Sequence, residues 1–221
     1  MLDSLDEALS GAARALNRHG LAHAYGHASI RIDDREMLVT PGKPLGLFGP
    51  GEPGIRMTID SPLADGALGE LRIHQKIYRL RGDVGAICRF QSPAVITLST
   101  AQRTPRALHG LGTYFAPAPP LWEDPALVRD DARALSLAQQ LADARAIVLR
   151  GNGAVTVGET IEQALAHAYF LEDAARIELA AMAAGLEPLP YTKEQVATRA
   201  VGTGGLYERM WAWLTHGDEP A

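Results

Sequence analysis

Apolar positions Ala8, Ala12, Ala13, Leu16 and Leu21 recur every three to four residues, which predicts an opening helix of about four turns, with Asp3 or Ser4 as N-cap and Gly20 as its stop. Residues 28–40 alternate around the polar turn Asp33-Asp34-Arg35-Glu36 and read as a hairpin ended by Pro41-Gly42. A Gly- and Pro-rich stretch follows, broken by the alternating residues 55–60, which predict one more short strand and a loop ending at Glu70. Leu71, His74, Ile77 and Tyr78 mark one face of a helix over residues 70–80, and Val84 to Cys88 form an apolar run that resembles a buried strand. Residues 92–100 predict a helix, residues 115–123 an irregular Pro-rich segment, and residues 130–142 another helix. The runs 146–149 and 154–157 flank Gly151-Asn152-Gly153 and predict a second hairpin. A long helix should then run from a Thr160 N-cap, with Gln163 completing a capping box, to Gly185, packing across the sheet; a last amphipathic helix spans residues 206–215. Hairpins mixed with helices, without strict strand-helix alternation, predict a layered α/β or α+β chain: a central mixed or antiparallel sheet flanked by helices.

Composition narrows the function classes. A chain of 221 residues, 47% hydrophobic and 21% charged, is that of an ordinary globular protein, and one domain over residues 1–221 with a tail from about residue 190 is expected. The net charge of -5 and the lack of any block of basic residues argue against nucleic acid as a partner. No segment approaches the roughly 20 apolar residues of a membrane span, and the N-terminus lacks the pattern of a signal peptide, so a cytoplasmic address is expected. The single cysteine, Cys88, lies in an apolar run and reads as a buried core thiol.

Three segments are richer in polar chemistry than a fold alone requires: residues 25–31, residues 69–78, and Cys88-Arg89-Phe90-Gln91-Ser92 at the end of a strand. Glu70 and His74 stand four apart, hence on one helical face, where a carboxylate and an imidazole can cooperate in proton transfer or form a pair without a role. Arg89 and Gln91, two apart on extended chain, point to the same side.

The order and spacing of these segments resemble the class II aldolase/adducin family over about residues 5–190. The resemblance rests on Gly26-His27-Ala28-Ser29, on Thr40-Pro41-Gly42-Lys43, on Glu70 with His74, Ile77 and Tyr78, on Asp83-Val84, on Arg89-Phe90-Gln91-Ser92 and on Gly151-Asn152-Gly153. In that family three histidines hold a divalent metal that stabilises the enediolate or carbanion formed when a carbon-carbon bond breaks. Their positions here carry Arg89, Gln91 and Asn152, so the resemblance implies no metal of the family type: a guanidinium repels a cation, and amides are poor ligands for zinc or iron. The Gly-His-x-Ser turn is similar to the branch that holds decarboxylases of hydroxylated aromatic acids and the adducin head domain, and the phosphate-holding loops of the sugar-phosphate aldolases are not matched at Gly42-Lys43 and Leu68-Gly69.

The resemblance implies a lyase of aldolase or decarboxylase type acting on a small or aromatic oxo or hydroxy acid. In it Arg89 serves as the fixed positive charge in place of the metal and Glu70 as acid/base; His27, Ser29, Lys43, His74, Gln91, Asn152 and Tyr114 hold a carboxylate substrate. A catalytically inactive, adducin-like binding or scaffolding module is the alternative. A metal site rebuilt from Glu70, His74 and water is a second. A homotetramer is implied, with Tyr114 and Trp122 either reaching a neighbour's site or belonging to the core.

Overall fold

The computed structural model describes residues 2–63 and 67–217. Seven strands, β1 (His27–Arg31), β2 (Glu36–Val39), β3 (Ile55–Thr58), β4 (Ala86–Phe90), β5 (Leu121–Trp122), β6 (Ala146–Leu149) and β7 (Gly153–Gly158), form one sheet. Its order is β3-β2-β1-β4-β7-β6-β5, antiparallel except for the parallel β5–β6 edge, so the expected mixed sheet flanked by helices is found.

Period-two alternation sends side chains to two separate apolar layers. On β4, Ala86, Cys88 and Phe90 join one cluster while Ile87 joins the other; on β6, Ala146 and Val148 part in the same way from Ile147 and Leu149. The first layer is closed by α1 (Leu2–Arg18), α3 (Pro93–Thr100) and α5 (Ile161–Ala183), the second by α2 (Leu71–Leu80) and α4 (Asp131–Leu141). Strands buried on both faces read as continuous apolar runs, which is why β6 and β7 were legible without alternation. Cys88 is free and fully buried.

Local chemistry sets the element ends. Asp33 Oδ1 accepts from the amides of Arg35 and Glu36 and closes the β1–β2 turn. Asp130 caps α4 by accepting from the Arg133 amide. At α5, Thr160 accepts from the Gln163 amide, but the Gln163 side chain accepts from Glu159 N, one residue before the cap, so the expected reciprocal capping box is not formed. Helix α1 begins at Leu2, upstream of the expected Asp3 or Ser4 cap.

One strand and one α-helix were missed. Strand β5 lies at the end of the Pro-rich segment and pairs with β6 through Val148 N to Pro120 O and Arg150 N to Trp122 O; the edge suits a run whose prolines cannot donate. Helix α6 (Lys193–Arg199) carries a Thr192/Gln195 capping box but buries no residue, so no apolar stripe announced it. The last helix, α7 (Leu206–Leu214), is where the pattern placed it. No helix among the described residues is long and apolar enough to cross a membrane.

At the start of β7, Gly153 has φ +87°, and an added Cβ would stand 2.1 Å from the Phe90 carbonyl oxygen. Gly153→Ala should therefore lower the unfolding free energy by more than about 1 kcal/mol, measured by equilibrium urea unfolding, because both the backbone conformation and the β4 contact oppose a side chain.

Candidate active site

Strand β1 and helix α2 present polar groups with nearly matched repeats. His27, Ser29 and Arg31 point to one face of the sheet at steps of about 6.7 Å, while Glu70, His74 and Tyr78 follow one face of the helix at steps of about 6 Å. The two rows meet rung by rung. His27 Nδ1 lies 2.7 Å from His74 Nε2, Ser29 Oγ 2.6 Å from His74 Nδ1 and 2.8 Å from the Tyr78 hydroxyl. Arg31 closes the row: its guanidinium donates to the Tyr78 carbonyl and stacks 4.6 Å from the Tyr78 ring centre.

At the other end, Glu70 occupies the N-cap position of α2 and directs a carboxylate oxygen to 3.7 Å from His27 Nε2. Antiparallel register places Arg89 directly opposite His27 on β4. The Arg89 side chain is 1% exposed; Nη1 donates to the Phe90 carbonyl at 2.7 Å and Nη2 stands 3.5 Å from Glu70 Oε2. Burial alone would raise the Glu70 pKa, but the adjacent His27 imidazole and the Arg89 charge outweigh it and hold the carboxyl at about 2. Burial keeps His27 neutral, and the Arg89 charge adds to this against the pull of Glu70. His74 is driven well below the ordinary histidine range by burial first and then by His27 and Arg89. Four buried atoms here lack a hydrogen-bond partner: His27 Nε2, Glu70 Oε1, and Nε and Nη2 of Arg89.

His27 and Glu70 border a cleft of about 530 Å³, whose wall and rim include Lys43, Gln91, Tyr25 and Arg129. Lys43 is not a free charge, since its ammonium is bonded to both oxygens of Glu52. Gln91 donates to Asn152 Oδ1 at 2.8 Å, so two of the three positions at which the resemblance places metal ligands are amides satisfying each other. The third is the guanidinium of Arg89. Among the described residues, no group of three or more His, Cys, Asp or Glu is placed to hold a metal ion.

The structure thus brings Glu70, His27, Lys43 and Gln91, but not every residue assigned to substrate contact, to one cleft, with Arg89 buried next to His27 and Glu70 and outside the cleft wall. Ser29 and His74 are fully buried behind His27, because the strand and helix rows close on each other there. Asn152 stands behind Gln91 and is not part of the cleft wall. Tyr114 lies in a different region, its hydroxyl donating to the Val201 carbonyl and its ring packed near Phe170, His167 and Tyr207. The residues after α5 cover it, which makes it a core aromatic in this chain. Trp122 is half-buried against the second apolar layer. Tyr78, which belongs to the matched motif, was given no place in the site, although it stands four residues after His74 on the same helical face. Sequence reasoning missed Arg129, whose stem lies against Gly69, where a Cβ would come within 3.0 Å of Arg129 Cγ. Nothing local in the sequence marks Arg129; the α2–α4 packing, with Arg72 and Lys76 both paired to Asp131, brings it there.

The family described as Class II Aldolase and Adducin N-terminal domain matches residues 7–179. The chain is 28% identical to a 3,4-dihydroxyphthalate decarboxylase of Arthrobacter keyseri, over 94% of this chain and 90% of that protein. Among solved structures it is similar to an L-fuculose 1-phosphate aldolase from Glaciozyma antarctica PI12 (TM-score 0.81, 23% identity, 99% of this chain and 89% of the other). It is also similar to an aldolase II superfamily protein from Pseudomonas syringae (TM-score 0.82, 23% identity, 99% and 93%). The two structural likenesses speak to the fold.

Glu70 titrates at about 2 in the folded chain against an ordinary 4.5, so its contribution to stability is complete above about pH 4.5 and is lost as the pH falls toward 2. Glu70→Gln, which leaves a buried guanidinium without its counter-charge, should cost on the order of 3 kcal/mol at neutral pH. The difference from the parent should shrink in urea titrations carried from about pH 6 down to about pH 3.

Proposed function

The chain belongs to the class II aldolase and adducin family, and on that premise we propose that it is a carbon-carbon lyase acting on a small or aromatic oxo or hydroxy acid without a divalent metal. One observation carries the reading: next to His27 and Glu70, which line the cleft, the fully buried Arg89 guanidinium keeps two nitrogens without a hydrogen-bond partner, one of them 3.5 Å from the Glu70 carboxylate, whose other oxygen also lacks one. A bound carboxylate would satisfy Arg89 through the paired donors that suit a planar anion. The donor set opposes a metal, since a fixed positive charge stands at one of the three positions and two mutually bonded amides at the others. The name of the Arthrobacter keyseri relative, a decarboxylase of an aromatic acid, supports the substrate class.

The reaction follows from the charges. Arg89 holds the substrate's anionic group and stabilises the charge that develops when the carbon-carbon bond breaks. An anion seated on Arg89 competes for the charge that keeps Glu70 ionised, so binding raises the proton affinity of Glu70. In a decarboxylation the bond to the carboxylate breaks, carbon dioxide leaves, and its former bonding pair takes the proton of Glu70 to form a C–H bond. Glu70 is left as carboxylate and is reprotonated from water. The reading carries with it the homotetramer that the resemblance implies, and Tyr25, exposed at the cleft rim, supports a mouth that meets another subunit.

A panel of benzoate, 2-hydroxybenzoate, phthalate, lactate and pyruvate, scored by melting temperature and by carbon dioxide release, tests the reading. At least one acid should stabilise the parent, and Arg89→Lys should weaken that binding by about 30-fold or more, because a point charge replaces a two-pronged one. No stabilisation by any acid would leave the non-catalytic binding module in its place. Near-stoichiometric zinc, manganese, iron or cobalt in untagged protein would overturn the metal-free chemistry.

A further inference from the structure

Behind the cleft, four side chains form an unbroken row of hydrogen bonds, Tyr78 to Ser29 to His74 to His27, at 2.8, 2.6 and 2.7 Å, every member buried. Each contact needs one proton, and the ends of the row decide where all of them sit. The Tyr78 hydroxyl contacts no acceptor among the described residues other than Ser29 Oγ, and a buried hydroxyl proton without an acceptor costs about 1–3 kcal/mol. Tyr78 therefore donates to Ser29. The Ser29 proton then goes to His74 Nδ1, which must be unprotonated. A neutral His74 carries its proton on Nε2 and donates it to His27 Nδ1. His27, also neutral, is left with its proton on Nε2, the atom 3.7 Å from the Glu70 carboxylate and without a hydrogen-bond partner. The opposite direction fails at both ends, stranding the phenol proton and turning an imidazole lone pair toward a carboxylate.

We propose that Tyr78, Ser29 and His74 are positioning residues that fix His27 as an Nε2–H donor beside Glu70, so that the cleft lining presents His27 as donor and Glu70 as acceptor, with the buried Arg89 guanidinium next to both. The use of that donor for an acid substrate rests on the lyase reading above; the direction of the row does not. Tyr78 acts from two side chains behind His27, and its ring is held in place by the Arg31 guanidinium.

Nitrogen-15 spectra of the full chain labelled at histidine, correlating ring nitrogens with ring carbon-bound protons, read the proton positions directly. His27 and His74 should both show a protonated Nε2 and a bare Nδ1. A protonated Nδ1 on either ring, or a doubly protonated ring, at neutral pH overturns the inference. Ser29→Ala cuts the row from its phenol end while Glu70 still faces His27 Nε2, so the His74 nitrogens should move toward values averaged over two tautomers and those of His27 should move less; unchanged His74 spectra would overturn it equally. With 2-hydroxybenzoate as probe, saturation should shift His27 Nε2 more than any other ring nitrogen, and Ser29→Ala should weaken binding about fivefold. His27→Gln, which can place an N–H at the same spot, should keep more affinity than His27→Leu. If no acid binds the parent while the rings hold the stated tautomers, the lyase reading fails and the positioning row stands. If acids bind but a ring carries its proton on Nδ1, the row fails alone.

Discussion

A guanidinium buried to 1% exposure in the middle of a sheet is the constraint around which this site is arranged. Removing such an ion from water costs several kcal/mol even after relaxation, and only a close counter-charge with some hydrogen bonding offsets it. Arg89 has one carbonyl acceptor and one carboxylate at 3.5 Å, which compensates it in part. Glu70 must then remain ionised, and the neighbouring histidines must remain neutral, because a second buried cation beside Arg89 would have no counter-charge left. The low proton affinity of Glu70 and the suppressed charge of His27 and His74 are thus consequences of one residue in β4.

The polar row is possible because two unlike periods nearly coincide. Two residues of strand rise about 0.7 Å more than four residues of helix, a mismatch small enough for side chains to absorb over three rungs. Glu70, His74 and Tyr78 therefore meet His27, Ser29 and Arg31 in register, each polar group finding a partner in a layer otherwise filled by Ile73, Ile77, Ile87 and Val157. A shift of β1 by one residue would turn Ala28 and Ile30 into that row and its polar groups into the opposite apolar layer, a penalty that fixes the strand's register firmly.

The same periodicities explain what was legible in the sequence. Strands β1, β2, β6 and β7 and helices α2, α3, α4, α5 and α7 follow from apolar spacing and turn residues, and the clustering of Glu70, Arg89 and His27 follows from motif order. The direction of each side chain does not. Ser29 and His74 share the motifs of cleft residues, yet the close approach of α2 to β1 seals them in, a fact of packing that no local pattern encodes. Tyr114 was left open between an interface and the core because it flanks a Pro-rich segment, and the chain after α5 folds back over it. Arg129 reaches the rim only through the α2–α4 contact, a long-range relation without a sequence signal.

The resting site is poor at moving protons, and this bears on how the proposed reaction would proceed. Held well below the usual carboxylate range by His27 and Arg89, Glu70 is ionised at neutral pH and is a poor general acid in the empty cleft. His27 is no better a source, because burial keeps it neutral and its single proton belongs to the donor role beside Glu70. The acid of the proposed reaction must therefore be made by the substrate: an anion on Arg89 takes over the charge that holds Glu70 ionised, and the carboxyl gains a proton as the complex forms. A divalent ion would stabilise the developing charge more strongly than a guanidinium, but it would also hold a nearby carboxylate ionised more firmly. A single positive charge shared between Glu70 and the substrate allows what a metal would oppose, a carboxyl that is ionised when the cleft is empty and protonated when it is filled.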